Sequence, residues 1–388
     1  MKILIISDAH LGFAQGTERE NDSFESVEES FQRGLDADVV LIPGDLFDSK
    51  VPKTETLVRA MQLLIKPMLV EGKAKIIEGI NKDIKKYLFL NSGVPVIAIH
   101  GTHERRIKGL LNPIEALEKA GFLVYLHCNA VILSDGNEKV CVHGMSTVPD
   151  QYAGSVLKEW NPKPIEGCYN ILMIHQSVSP FMYAEHMLDV NELPKGFDLY
   201  ICGHIHEAKK TSYDGKPLII PGSLIPTQLT KESINPKGFW KIDTKTGETE
   251  FIELKKQRKF YYEEFTGSDK EKIKERLKEI LSKNHEKKPV IRIKIKNADP
   301  HISFQDLKTI FENKAIIIIS AEFKEEIYRA KTMEEQKFSV QEAGEKILRE
   351  EIQKHALDQK IFERVFELLL ENRQEKVLKL VEGDGNDR

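Results

Sequence analysis

Several short runs of this chain stay apolar at consecutive positions instead of alternating. They are Lys2 to Ser7, Val39 to Pro43, Val94 to His100, Ile171 to Ile174 and Phe197 to Cys202, and they are rich in β-branched residues. Continuous hydrophobicity over so few residues predicts strands covered on both faces, as in a parallel sheet flanked by helices. The intervening segments have helical spacing. One helix is predicted from Asn21 to Gly34, and another from Pro52 to Ile65 with Leu57, Ala60, Met61 and Leu64 on its apolar face. Asn112-Pro113 supplies a cap followed by a first-turn proline, and opens a third helix. Glu71 to Leu90 is polar and helical in pattern, which reads as an inserted excursion. Short strands with turn signals fill Phe122 to His143 and predict a second, more antiparallel sheet. Leu218–Pro221, Gly238–Asp243 and Glu250–Leu254 read as closing strands, with Thr246-Gly247 turning between the last two.

The character changes at Lys255. A basic junction, Lys255-Lys256-Gln257-Arg258-Lys259, leads into strand, helix, strand, helix, strand up to about Lys331. From about Glu334 to Val381 the pattern is helical and amphipathic, with Ile347, Leu348 and Ile352 on one face and Ile361, Phe362, Val365, Phe366 and Leu369 on another. Those apolar faces are generous for so small a unit and favour a partner groove. Residues 382–388 read as a disordered tail. The expected organisation is 1–255, 256–332 and 333–388.

Composition narrows the class. The 388 residues suffice for two or three domains, and 40% hydrophobic with 30% charged is an ordinary soluble balance. A net charge of -4 does not advertise a nucleic-acid binder, so such a role has to come from local basic patches. The four cysteines (Cys128, Cys141, Cys168, Cys202) share no metal-type spacing and read as buried thiols in a reducing compartment. No signal peptide precedes the first strand and no apolar run approaches a membrane span, so a cytoplasmic protein is expected.

The chemistry gathers where strands end. The stretch Val-Val-Leu-Ile-Pro-Gly-Asp-Leu-Phe-Asp, from Val39 to Asp48, puts Asp45 on a turn at the carboxyl end of a buried strand, where α/β folds place ligands. Four other strand exits carry the same kind of cargo: Asp8 and His10, then Thr102 and His103, then His175, then His204 and His206. Each alone has an ordinary reading. Asp8-Ala9-His10 suits a turn with a surface imidazole, His175 a satisfied structural histidine, and His103 a solvated loop. His100 and His143 are read as structural. Together, carboxylates and imidazoles suit divalent manganese, iron or zinc, and the lack of cysteine argues against structural zinc. The set exceeds what one ion needs. A pair of ions bridged by Asp45, about 3.5–4 Å apart, is the economical arrangement, and it suits hydrolysis of a phosphate ester.

The order Asp-x-His, Gly-Asp, Gly-x-His, His, Gly-His-x-His resembles the calcineurin-like metallophosphoesterase superfamily over residues 1–255. Ile6-Ser7-Asp8-Ala9-His10-Leu11-Gly12, Gly44-Asp45-Leu46-Phe47, His175-Gln176 and Gly203-His204-Ile205-His206 are most similar to the SbcD-like nuclease subunits of double-strand-break repair complexes. Pro221-Gly222-Ser223 and Gly238-Phe239 also fit.

The resemblance implies a four-layer α/β/β/α sandwich, a small α+β DNA-capping domain and C-terminal helices that dock on a coiled-coil ATPase. It implies a homodimer, for which Pro52–Leu64 is the candidate contact, and two Mn2+ ions per subunit. Asp8, His10, Asp45 and His206 would hold the first ion; Asp45, His175 and His204 the second. His103 would stabilise the transition state or protonate the leaving oxygen. Two positions depart from the pattern. Thr102 stands where the superfamily has an asparagine ligand, so the second ion is expected to bind more weakly or to take an extra water, with Glu104 or Glu207 as candidate compensating groups. Asp48 stands where some relatives carry a histidine linked to exonuclease action. Arg105, Arg106 and Lys108 are candidate phosphate contacts, as is a stripe of Lys287, Lys288, Arg292, Lys294 and Lys296 whose last three members alternate along one strand face; solvated surface charge is the ordinary alternative. Two rival functions stay open: a phosphodiesterase for small or cyclic nucleotides, and a weakened, DNA-tethering scaffold.

Overall fold

The computed structural model describes residues 1–84, 92–107, 109–299 and 301–323. The expected C-terminal helical region, 333–388, lies outside these residues, as do Lys108 and the end of the 71–90 segment. The described residues divide into two compact units: Met1–Phe265 with Asp269–Ile295 and Ser303–Ser320, and Thr266–Ser268 with Lys296–Ile302 and residues 321–323.

In chain order the first unit runs β1 (Lys2–Ile5), α1 (Asp22–Gly34), β2 (Val39–Pro43), α2 (Thr54–Leu69), β3 (Lys75–Ile80), β4 (Val96–Ile99), α3 (Pro113–Lys119), β5 (Val124–Tyr125), β6 (Asn129–Ser134) and β7 (Lys139–Met145). It continues with α4 (Asp150–Trp160), β8 (Tyr169–His175), β9 (Val178–Ser179), β10 (Leu188–Asp189), β11 (Leu199–Gly203), β12 (Lys209–Tyr213), β13 (Lys216–Ile220), β14 (Gly238–Asp243) and β15 (Thr249–Glu253). One sheet has the order β15-β14-β1-β2-β4-β5, the other β12-β13-β11-β8-β7-β6-β3.

The continuous apolar runs bury both faces as their pattern requires. In the first sheet Ile3, Ile5, Leu41, Ile97 and Ile99 face the second sheet, where they meet Val131, Val142, Ile171, Met173 and Ile201. The alternate residues Leu4, Val40, Ile42 and Ala98 face Phe24, Val27 and Phe31 of α1, Ala60 and Leu64 of α2, and Leu117 of α3. The outer face of the second sheet, through Leu172, Ile174 and Tyr200, packs on Ala153 and Leu157 of α4. The layers are therefore helix, sheet, sheet, helix.

Four details differ from expectation. The polar stretch after Glu71 contains an edge strand, β3, paired antiparallel with β6. Only Ile76 of its first four residues is buried, so it lacks the apolar signature of the inner strands. Val124-Tyr125 joins the first sheet beside β4. The second sheet is mixed, with β7, β8, β11 and β13 parallel and antiparallel pairs toward its edges. Helix α4 has no counterpart in the sequence reading. The closing strands β13, β14 and β15 and the turn at Gly247 (φ 73°) fall where expected.

Past Lys255 come β16 (Phe260–Thr266), α5 (Lys270–Leu281), β17 (Val290–Ala298), α6 (Gln305–Phe311) and β18 (Ile316–Phe323), the strands forming one sheet in the order β16-β17-β18. Ile291, Ile293 and Ile295 are buried while Arg292 and Lys294 are half-buried between them, the expected alternation. Lys288 pairs with Glu18 at 2.7 Å and Lys287 pairs with Glu25, so these two lysines serve ion pairs within the first unit. Among the described residues no helix is long and apolar enough to cross a membrane. All four cysteines are free thiols, Cys141 and Cys202 buried and the other two half-buried.

Asn112 caps α3 fully: its Oδ1 accepts from the Ile114 and Glu115 amides at 2.9 Å each, and Glu115 returns a bond to the Asn112 amide at 3.1 Å. Asn112→Ala should lower unfolding stability by about 1 kcal/mol, read by chemical denaturation.

Candidate metal centre

The first sheet's parallel strands and the neighbouring strands β8 and β11 end at one edge of the sandwich. The first two exit loops are locked to each other by backbone bonds that continue the β1–β2 pairing beyond the strands. The Asp8 amide donates to Gly44 O (3.2 Å), His10 to Asp45 O (3.0 Å), and Leu11 to Leu46 O (2.8 Å). Asp8, His10 and Asp45 all take left-handed backbone angles, with φ of 48°, 50° and 48°. His204 does too, at 86°. Non-glycine residues rarely adopt this conformation, and it clusters at functional sites.

The second sheet closes onto these loops at a single point. His175, the last residue of β8, donates from Nδ1 to Pro43 O at 2.7 Å. Gly44 has φ 96°, and a Cβ there would lie 2.3 Å from His175 Nδ1. A Cβ on Gly203 would lie 2.1 Å from Pro43 O, so glycine is needed for the sheets to approach.

Two groups of potential ligands result. Asp8, His10 and His206 bring their donor atoms within 4.8 Å of one another, and so do Asp45, His175 and His204. His10 Nε2 and His206 Nε2 lie 3.1 Å apart, and His206 Nε2 is 3.7 Å from Asp8 Oδ1. His175 Nε2 is 3.4 Å from Asp45 Oδ2 but has no hydrogen-bond partner although buried. An orphaned imidazole nitrogen facing a buried carboxylate, and two ring nitrogens facing one another beside a second carboxylate, fit a divalent cation. Asp8, His10, Asp45 and His175 are each at most 1% exposed. Among the described residues a third group joins His10 and His103 to Asp48, whose Oδ1 is 3.1 Å from His10 Nδ1 and 3.5 Å from His103 Nδ1.

His103 is the exposed member. Its side chain is 44% accessible, its amide donates to Asp45 Oδ1 at 2.9 Å, and its Nδ1 lies 3.1 Å from Asp48 O. Thr102 is exposed at the margin of the second group, its Oγ1 3.4 Å from His204 Nδ1. Glu104 does not compensate for Thr102. Both of its oxygens accept backbone amides, from Phe47 and Gly101 at 2.8 Å each, which bolts the Gly44 and Gly101 loops together. Glu207 is exposed and engaged by Asn235 at 2.8 Å. Arg105 is exposed, and Arg106 is half-buried with Nη1 on Leu111 O at 3.2 Å. His100 and His143 are structural as read: His100 Nδ1 meets Tyr125 Oη at 2.8 Å, and His143 packs edge-on to Phe197.

The electrostatics are those of a cation site. Burial, with Asp45 nearby, raises the Asp8 carboxyl to about 6. Burial would raise Asp45 too, but the facing His175 ring, with His10 and His103, holds it well below the carboxylate range. His175 resists the lowering effect of burial because Asp45 and Asp8 face it, and rises to about 9. Burial and neighbouring imidazoles drop His204 to about 4 and His206 to about 3. Neutral imidazoles are ready to ligate, whereas His175 must first lose its proton. Glu104 rises to about 8 through burial and the charge of Asp45.

Binding of a divalent cation at pH 7 should therefore release a proton from His175, and affinity should climb as pH rises toward about 9. Calorimetry in buffers of differing ionisation enthalpy measures this, and His175→Ala should abolish the release. Gly203→Ala should separate Pro43 from β11 at a cost of about 1–3 kcal/mol and weaken divalent-cation binding, read by denaturation and titration of the same sample.

Comparison with known proteins agrees with this geometry. The family model for calcineurin-like phosphoesterases matches residues 1–208. The DNA double-strand break repair protein Mre11 of Methanopyrus kandleri is 28% identical over 298 residues, covering 69% of this chain and 60% of that protein. That of Saccharolobus solfataricus is 29% identical over 256 residues, covering 63% and 60%. The double-strand break repair protein MRE11 of Macaca fascicularis is 27% identical over 304 residues, covering 68% and 42%. The chain thus spans between 42% and 60% of the length of these relatives. A model match over more than half the chain, together with two carboxylate–imidazole groups at one sheet edge, places this protein in the calcineurin-like phosphoesterase family.

Proposed function

We propose that the protein is a metal-dependent DNA nuclease acting at double-strand breaks. The observation that carries this reading is the convergence of both ligand groups and the exposed His103 at one edge of the sandwich, in a chain similar to proteins named for double-strand break repair. Asp8, His10, Asp45 and His206 would hold one ion, and Asp45, His175 and His204 a second, with Asp45 shared. When bound, such a pair supplies an activated nucleophile and neutralises charge on a phosphodiester. The remaining work falls to the chain. Its buried ligands exclude water and fix the approach of the phosphate. His103 Nδ1–H donates to the Asp48 carbonyl, which leaves Nε2 to meet the leaving sugar oxygen; the imidazolium form of the ring would give that oxygen its Nε2 proton and remain a neutral imidazole with Nδ1–H still on Asp48. Arg105, Arg106 and Arg292 are the cations assigned to DNA phosphates.

A mixed carboxylate–imidazole set without thiolates suits manganese, iron or zinc, and the family resemblance selects manganese among them. The exposed Val58, Ile65 and Leu69 on α2, with Val51 before it, support a homodimer through that helix. The coiled-coil ATPase is assigned to the amphipathic pattern of 333–388. Thr102 supports a second ion held more loosely than the first, because a hydroxyl is a poorer neutral ligand than a carboxamide and this one stands at the exposed margin.

The full chain with Mn2+ should cleave single-stranded DNA and hairpins, and a chelator should stop it. Asp8→Ala and His175→Ala should each slow cleavage by more than roughly 100-fold, the upper end of what outer-sphere changes cost a metal site. Equal cleavage by wild type and both variants would reject the assignment. Faster turnover of a chromogenic diester than of DNA would favour the small-molecule rival. Thr102→Asn should raise DNA cleavage several-fold at limiting Mn2+; no change would mean that another group already completes the second site.

A further inference from the structure

His206 poses a mechanical problem that its partners in the first ligand group do not. Asp8 and His10 are fully buried and held by packing, whereas the His206 side chain is 21% exposed and stands on the loop after β11. A ligand so placed needs outside restraint to keep its ring aimed.

The structure provides that restraint from three sides, through residues with no assigned role. Thr227 Oγ1 lies 3.0 Å from His206 Nδ1. The Ser223 amide donates to His206 O at 3.2 Å. Lys237 Nζ donates to the same oxygen at 2.6 Å. The lysine is the most telling of the three. It is only 5% exposed, and its hydrogen-bond acceptor is a peptide carbonyl rather than a carboxylate. Burying an ammonium is costly, and a short charge-assisted bond recovers the cost only where geometry is held tightly. Lys237 is itself firmly mounted: it directly precedes β14, and its carbonyl accepts the Leu254 amide at 2.9 Å. The Thr227 loop is braced as well, by buried Arg19, whose Nη2 donates to Pro226 O at 2.6 Å. Thr227 and Lys237 both border a cleft of about 230 Å³ beside His206.

We infer that Thr227 and Lys237 are positioning residues that aim His206 at the first cation. Thr227 accepts the Nδ1 proton and thereby fixes the tautomer in which Nε2 carries the lone pair, facing His10 and Asp8. Lys237 anchors the peptide, so the ring cannot swing into the cleft. Gripping one residue by ring and carbonyl together sets both its side-chain and its backbone angles. The inference rests on the metal reading above and deepens it.

Calorimetric titration of the full chain with Mn2+ tests it independently of cleavage. In a wild type that binds two ions, Thr227→Val and Lys237→Met should each weaken one site by about 10–100-fold and leave the other unchanged. Thr227→Ser and Lys237→Arg keep the acceptor and the donor and should hold wild-type affinity. In a His206→Ala background, adding Thr227→Val should cost nothing more, because the residue it positions is gone. The inference is overturned if Thr227→Val and Lys237→Met bind both ions as wild type does, or if Thr227→Val weakens binding equally with and without His206. If Lys237→Met does not fold, the Thr227 pair and the double variant still decide. A wild type that binds no Mn2+ would overturn the metal reading itself, a result distinct from either of these.

Discussion

The bond from His175 Nδ1 to the Pro43 carbonyl is where two sheets become one site. Each sheet by itself brings a partial set of potential ligands to its edge: Asp8, His10 and Asp45 from one, His175, His204 and His206 from the other. Neither set makes a cation site of the kind described until the strand ends meet. They meet within hydrogen-bonding distance only because Gly44 and Gly203 present no Cβ at the crossing. The parallel register of β1 on β2, carried past the strands by the Asp8, His10 and Leu11 amides, then fixes which loop residues stand opposite His175. A one-residue slip would turn these side chains away from the centre.

That arrangement is costly for a chain without a bound cation. Two buried carboxylates share the centre with buried imidazoles, and four non-glycine residues there hold left-handed backbone angles. Uncompensated burial of an ion costs several kcal/mol, and each strained residue about 1–3 kcal/mol. The opposing charges on Asp45 and His175 offset part of this cost, and the rest falls on the hydrophobic layers on either side. The site thus trades the protein's stability for a geometry that a divalent ion completes.

The sequence made the inner strands legible because they are buried on both faces, which leaves an unbroken apolar run ending abruptly in Asp or His. The ligand groups followed from those endings. Edge strand β3 and helix α4 were not legible in the same way. β3 buries little more than Ile76 among its first residues and alternates with Lys75 and Glu78, a pattern that also suits a polar helix. The helix of Asp150–Trp160 buries only Ala153 and Leu157, too few apolar positions to establish a period. Glu104 was visible as a residue beside His103 but not as the bolt between two loops, because that role depends on amides 3 and 57 positions away. Thr227 and Lys237 left no local signal for a similar reason: their partner, His206, is 21 and 31 residues distant.

Exposure divides the centre into two halves with different demands. Asp8, His10, Asp45 and His175 are sealed, so their positions follow from packing and backbone register. His204 and His206 are only half-buried, while Thr102 and His103 face solvent. A substrate approaching a sealed set of ligands can reach the reacting atoms only from the outer side, so the residues that touch it must come from the exposed half. Thr102 lies in that exposed half, where water reaches its side chain, whereas His175 is sealed from solvent. Exposure explains why the outer half depends on tethers. Packing cannot fix a ring that borders solvent, and each exposed histidine has its own restraint instead: His103 through Asp48 and Asp45, His204 through its amide on Asp8 at 3.2 Å, and His206 through Thr227 and Lys237.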